Sequence, residues 1–211
     1  MRRSARPTSP RVGHSLPFHA RFGSPPEAES WTNGFGGTAG GATNAHPDLH
    51  VPSDGVRSYV VWCNRASGSR VLSCGDAGAS ENRRSWFIGT AATSNWGLNL
   101  STNGTSYLTA INANVALGSG SWEMIVVILN NVTRKYGISA NGQTIVWSST
   151  LNSPLFPATG DPVCIGALLF GGSPSATGRF FGLIDDLRVY TREVTQGEIE
   201  LLWDDGEGHP G

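Results

Sequence analysis

Residues 121–147 read SWEMIVVILNNVTRKYGISANGQTIVW, and the fold follows from how this stretch is patterned. Its apolar core, WEMIVVIL at 122–129, has the length of a strand and falls far short of the roughly 20 apolar residues a membrane helix needs. Because it is apolar on both faces, it belongs in the middle of a two-sheet sandwich and not on a sheet with one face in water. Asn141-Gly142 follows as a two-residue turn in which both positions tolerate positive φ, the strongest short-range hairpin signal in the chain. The strands on either side of it are therefore antiparallel.

Working outward, short β-rich segments separated by turn residues predict strands at 57–64, 70–75, 84–89, 96–101, 106–111, 122–130, 134–140, 143–148, 163–167 and 179–190. One helix is expected near the end: Thr195 as N-cap with Glu198 three residues on forms a capping box, and Ile199, Leu201, Leu202 and Trp203 supply an apolar face. It should pack against the rim of the sandwich. The pattern predicts an all-β jelly-roll sandwich of two antiparallel sheets with one short C-terminal helix. In domain terms this gives an extended arm at 1–50, the sandwich at 51–205 and a tail at 206–211.

Composition agrees. The 211 residues include 28 Gly and 12 Pro with only 15% charged, so much of the chain goes into turns. The formal charge of −1 gives no global excess that would point to nucleic acid or a membrane surface. That balance hides a polarity. Arg2, Arg3, Arg6, Arg11 and Arg21 all precede the first acid, Glu27, whereas the segment from Asp185 onward is strongly acidic.

The arm carries six prolines, the Gly-rich patch GFGGTAGG at 34–41 and too little apolar content to fold on itself. A docking surface on a larger assembly is what would order it, with its five arginines as the docking residues. A basic start with no apolar h-region predicts no secretory leader.

Cys63, Cys74 and Cys164 are too few for a disulfide scaffold and lack zinc spacing. They read as buried thiols. If Gly68-Ser69 were a hairpin turn, Cys63 and Cys74 would face each other, leaving a cross-strand disulfide open. Sequons at Asn99, Asn103 and Asn131 are read as accidental, given no leader.

Residues 178–203, GRFFGLIDDLRVYTREVTQGEIELLW, resemble the closing signature of laminin-G-like members of the concanavalin-A-like lectin/glucanase superfamily. Gly182, Ile184, Asp185, Asp186, Arg188, Tyr190, Arg192, Glu198 and Ile199 fall in register with it, and Val194 replaces the usual Leu. Upstream, SYVVWCNRASGSRVLSCGD, ISANGQTIV and VCIGA resemble further strands of that family, although Glu123 stands where a histidine is usual. The resemblance covers about 57–205 and implies a jelly-roll sandwich, with Gly182, Asp185, Asp186, Arg188 and Tyr190 as structural signature residues. It implies no activity, since this fold hosts lectins, glycosidases, adhesion modules and virion proteins.

The E-x-D-x-x-E strand of the superfamily's glycosidases has no counterpart here. Asp185 and Asp186 should point to opposite faces of a strand, and Glu123 would need a partner from elsewhere. Ser-His-Asp chemistry and histidine metal sites are disfavoured because His14, His19, His46 and His50 lie in the arm, where they read as exposed, and His209 lies near the terminus. No cofactor is expected; calcium alone is kept open, with Asp54, Asp76 and Asp161 as loop candidates.

Trp62, Trp122, Trp147 and Trp203 read as core. Trp31, Trp86 and Trp96 are the candidates for stacking on a sugar or a partner, with Arg83 and Arg84 beside Trp86. The chain is expected to be non-catalytic. The leading reading is a virion component, a capsid decoration, cement or tail protein on the particle surface, homo-oligomeric and docked by its arm on other subunits. The alternative is a carbohydrate-binding, lectin-like adhesion module meeting a surface glycan. Neither nucleic acid nor a membrane is an expected partner.

Overall fold

The computed structural model describes residues 42–44 (backbone only), 49–68, 70–78, 83–89, 94–158, 160–175 and 179–204. The arm arginines and Trp31 lie outside the described residues.

Two sheets, antiparallel apart from one parallel pairing at Leu169↔Asp76, form a sandwich. The larger has eight strands, among them β1 (Ala42–Asn44), β3 (Leu72–Asp76), β4 (Arg83–Gly89), β5 (Asn95–Leu100), β6 (Thr109–Ala116) and β10 (Val163–Ile165), in the order β1-β10-β3-β4-β5-β6. Its two remaining strands, β11 (Leu169–Phe170) and β12 (Ser173–Pro174), pair with each other, and β11 also touches β3. The five-stranded sheet runs β13 (Phe181–Tyr190), β2 (Val56–Ser67), β7 (Trp122–Asn130), β8 (Lys135–Ala140) and β9 (Val146–Trp147). Strand β1 falls within the 1–50 segment and pairs with β10 from Ala42↔Ile165 to Asn44↔Val163.

The central position of β7 explains its apolar run. Ile125, Val127 and Leu129 enter the main core between the sheets, where they join Tyr59, Trp86, Trp96, Leu98 and Tyr136. Met124, Val126 and Ile128 face the other way and meet Val60, Trp62, Val194 and Ile199. That second face is covered by helix α1 (Gln196–Trp203), so the helix lies on the outer face of the five-stranded sheet and not at the rim. An apolar outer face needs a cover, and the rim offers none. Trp203 stacks on Trp62 at 5.3 Å, with the planes 15° apart.

The cap forms as expected. The Thr195 side chain accepts from the Glu198 N–H, and Glu198 Oε2 accepts from the Thr195 N–H at 2.9 Å. Arg192 grips the same carboxylate with two nitrogens at 2.8 and 2.7 Å. Ser58 Oγ donates to Arg192 O at 2.7 Å and accepts from Val194 N–H at 3.2 Å, which ties the turn to β2.

The Arg192 hydrogen bonds, with those from Thr195, hold Glu198 down at about 2 from 4.5, so its stabilising contribution is present above pH 4.5 and is lost as pH falls toward 2. Both side chains are partly exposed, 37% and 25%, so screening limits the effect. Glu198→Gln is expected to cost about 1 kcal/mol at neutral pH and to flatten the acid limb between pH 4.5 and 2. Urea unfolding across that pH range checks both; an unchanged acid limb would show the pair contributes nothing.

The signature residues hold irregularities in β13. Gly182 has φ +145, where a Cβ would lie 2.1 Å from Asn64 O. At Asp185/Arg188 the pairing with β2 shifts register, and Asp186 takes φ +46. The expected simple alternation of Asp185 and Asp186 is therefore broken by a bulge. Asp185 Oδ1 accepts from the Asp186 N–H at 2.8 Å, and Arg188 clamps the buried Asp186 carboxylate with two nitrogens. At the end of the strand, the Arg192 guanidinium sits 5.6 Å from the Tyr190 ring.

The expected Gly68-Ser69 hairpin does not exist. Strands β2 and β3 lie in different sheets, because Gly68, at φ +69 and with its Cα hydrogens against Arg179 O, carries the chain across the sandwich. Cys63 pairs with Glu123 and Ile184, whereas Cys74 pairs with Trp86 and Val163, so the two never face. All three cysteines are free and buried. Trp147, expected in the core, is 42% exposed because β9 is a two-residue edge strand. Among the described residues, no helix is long and apolar enough to cross a membrane.

Candidate functional site

The larger sheet has an outer face, turned away from the five-stranded sheet, and strict alternation populates it. In β4, Trp86 and Ile88 point into the core and Phe87 points out; in β5, Leu98 and Leu100 point in and Asn99 points out. Register sets Ser73, Phe87, Asn99 and Ala110 side by side across β3, β4, β5 and β6. One half of this face is roofed: Cys164 packs with Ala167 and Leu169, and Ser73 Oγ donates to Ala167 O at 2.8 Å. Toward β6 the exposed Ala110 and half-buried Asn112 leave it open.

Two residues from outside the strands close over Phe87. The Arg70 guanidinium carbon lies 4.1 Å above the ring, a cation–π contact, where an isolated bridge to Arg179 anchors the Arg70 backbone. Tyr107 meets the same ring edge-on, with centroids 4.7 Å apart and planes at 86°. Burial raises the Tyr107 phenol to about 12, against the opposing pull of Arg84 and Arg70. It stays neutral, a hydroxyl donor at any physiological pH. Neither Tyr107 Oη nor Asn99 Nδ2, both out of solvent, has a hydrogen-bond partner among the described residues. Buried polar atoms are rarely left so; the same holds of His50 Nε2 and Trp86 Nε1 in the core, but the pair here lies toward the open end of the outer face, which makes it the candidate ligand site.

The sequence candidates fall elsewhere. Trp86 and Trp96 are fully buried at 0% exposure and cannot stack on a sugar; they are core residues, Trp86 lying 4.8 Å from the Tyr59 ring. Arg83 sits 3.2 Å from Asp161 and 3.9 Å from Asp76. Arg84 donates to the carbonyls of Thr105 and Ala77 and so braces the loop that carries Tyr107.

The calcium candidates are otherwise engaged or exposed. Asp76 accepts from three backbone N–H groups, Gly78, Gly171 and Gly172, at 2.7, 2.9 and 2.6 Å. Its carboxylate is a clasp for two loops. Asp161 is buried against Arg83, and Asp54 lies in an exposed turn. Among the described residues no three His, Cys, Asp or Glu side chains gather to hold a metal ion.

Glu123 is only 3% exposed, on the inner face; both its oxygens lie 3.1 Å from the Gly118 N–H, and burial raises its pKa. The groups that act on it among the described residues are Gly118, Trp96, Arg65 and Asn141, none of them a second carboxylate. His50, read as an exposed arm residue, is buried with Nδ1 3.6 Å from Cys74 Sγ, and burial lowers its pKa. That neighbourhood is no nucleophile site: burial pushes the Cys74 thiol to about 12, whereas reactive thiols are depressed.

The two-sheet architecture agrees with the family match. The chain belongs to the concanavalin A-like lectin/glucanase superfamily, whose laminin-G-type model matches residues 35–200. No curated protein sequence matches it. Among solved structures, the CBM40 module of the Ruminococcus gnavus IT-sialidase bound to alpha2,3 sialyllactose is similar at a TM-score of 0.60 and 17% identity, over 78% of this chain and 92% of that one. The NanB sialidase from Streptococcus pneumoniae is similar at TM-score 0.58 and 16% identity, over 76% of this chain but 26% of the sialidase. The binding domain of Paraclostridial Mosquitocidal Protein 1 gives 0.54 and 13%, over 73% and 38%. At these identities the likeness shows a shared fold.

Proposed function

We propose that this chain is a carbohydrate-binding module without catalytic activity, which takes a glycan on the outer face of the larger sheet at Arg70, Phe87, Asn99 and Tyr107. The observation that carries this is the pair of unpartnered buried donors, Asn99 Nδ2 and Tyr107 Oη, beside an aromatic ring capped by a guanidinium. Ligand sites commonly combine a few convergent polar groups with aromatic side chains, and here Phe87, 4% exposed beneath Arg70 and Tyr107, is the floor of the site and not a stacking face. The fold relatives support the same reading, since a sialidase CBM40 module bound to sialyllactose is among them. They favour a glycan-binding role over the assembly role that the basic arm suggested. The enclosed Glu123 and the high Cys74 thiol argue against turnover.

A glycan array probed with the full chain tests the proposal. At least one glycan class should bind, and Tyr107→Phe and Asn99→Ala should each weaken the interaction by about tenfold, as expected for loss of one donor to a ligand. An array without signal, or one on which both variants match the parent, would overturn it.

A further inference from the structure

We infer that the site takes the non-reducing terminal residue of a glycan, inserted from the open edge at β6, and not an internal stretch laid across the sheet; the inference rests on the glycan-binding reading of the same face.

Alternation and register define the surroundings of Phe87 and Asn99, and three of the four sides are closed. Toward β3, Ser73 is fully buried and donates to Ala167 O at 2.8 Å, with Cys164 and Leu169 packed beside Ala167. Along the strands in one direction lie Ser85 and Ser101, which share the outer face with Phe87 and Asn99 and keep 1% and 0% exposure. The loop after β5 folds over them. Its Gly104 N–H donates to Ser101 Oγ at 3.1 Å, Gly104 O accepts from the Arg84 N–H at 2.9 Å, and Tyr107 returns to the Phe87 ring. In the other direction Gly89 and Gly97 pair in register and are both buried. Asn112 leans over that side, its Oδ1 3.1 Å from where a Cβ on Gly97 would stand.

Among the described residues the fourth side alone is uncovered. Ala110 is exposed, sits beside Asn99 in register and belongs to the last strand of the sheet. The floor itself is narrow, since Phe87 keeps 4% exposure and Asn99 5%. A run of sugars lying across the sheet needs a continuous exposed floor, whereas an end pushed in past Ala110 needs only a mouth. The polar chemistry agrees. The Asn99 amide and the Tyr107 hydroxyl each donate and accept, and so does every sugar hydroxyl. A non-reducing terminal residue carries, free, the hydroxyl through which an internal residue is linked, and so brings one more group to the unpartnered Asn99 Nδ2 and Tyr107 Oη.

An array of glycans tethered through their reducing ends, probed with the full chain, tests this with two kinds of pairs. In one kind the end is changed by a further residue, as in lactose against 3′-sialyllactose or N-acetyllactosamine against its α-galactosyl extension. In the other the end is kept and the chain behind it lengthened, as in chitobiose against chitotetraose or cellobiose against cellotetraose. The strongest binder on the array is also compared with its own one-residue extension at the free end. Changing the end should alter binding about tenfold or more, and lengthening behind it about twofold or less. Binders that share an internal residue whatever caps it would overturn the inference and leave glycan binding intact. No signal on any glycan would overturn both readings.

Ala110→Trp should block the mouth and weaken binding about tenfold or more, with the urea midpoint near the parent's because the position is exposed on a strand. Asn114→Trp, exposed on the same strand farther from Asn99, is the control and should bind as the parent does. Retained binding in Ala110→Trp, or equal loss in both variants, would overturn the inference. If Ala110→Trp does not fold, the paired glycans decide on their own.

Discussion

Gly182→Ala is expected to destabilise the domain by about 3 kcal/mol or more, the largest effect of any single methyl group considered. Gly182 sits at φ +145, and the added Cβ would be placed 2.1 Å from the Asn64 carbonyl oxygen and 3.0 Å from the Ala66 nitrogen. Both are backbone atoms of the paired strand β2, so no side chain can swing aside. Relief would require β13 to lift from β2, and that strand pair carries the bulge at Asp186 and leads into the helix that covers Trp62. Gly197→Ala is the control: nothing lies within 4 Å of its Cβ position, and alanine in a helix is favoured over glycine by about 0.5–1 kcal/mol. Urea midpoints should therefore move in opposite directions for the two variants. Equal small shifts would mean the Gly182 conformation is not demanded by the fold.

Trp86→Ala and Trp96→Ala should each cost about 3–5 kcal/mol, as truncation of a large core aromatic does. Both rings are at 0% exposure between the sheets, where Trp86 packs on Tyr59 and Trp96 lies beside Glu123. Trp147→Ala, at a ring 42% exposed on an edge strand, should cost about 1 kcal/mol or less. Thermal melts of the three variants give the order directly. A mild Trp86 or Trp96 phenotype would contradict their placement in the core and return them to candidacy as ligand contacts.

The contrast shows where sequence reasoning stopped short. The sandwich was legible in the two-faced apolar run of β7, in the Asn141-Gly142 turn and in the Thr195 capping box, because each of these is a local signal that needs no partner strand. The site was less so. Alternation in RRSWFIG and NWGLNL would have sent Trp86 and Trp96 inward with Ile88, Leu98 and Leu100, and would have placed Phe87 and Asn99 on the opposite face of the sheet. The eye goes to tryptophan, and here tryptophan is the filling of the core. Arg70 and Tyr107 carried no such signal. They flank the strands, and only the pairing of β3, β4, β5 and β6 brings them onto one ring.

The same limit explains the other departures. A hairpin at Gly68-Ser69 is the reading a two-residue turn invites, but the chain there changes sheets, which only the packing of Gly68 on Arg179 reveals. Within the 1–50 segment, Ala42–Asn44 pairs with β10, and Leu49 and His50 are buried, contacts that composition alone does not disclose. The signature residues, read as structural through the family resemblance, lie along the irregular stretch of β13, and the left-handed Asp186 that makes the bulge is a conformation no spacing discloses.

The most direct test of the account is where a bound glycan touches the protein. In nitrogen-15 NMR of the full chain titrated with its best array glycan, the Asn99 side-chain amide and the Arg70 Nε–H should shift most. Backbone amides around Phe87 and Tyr107 should follow, with the five-stranded sheet unmoved. Shifts centred on the five-stranded sheet, or on the Asp76–Arg83 loops with Asn99 silent, would contradict it.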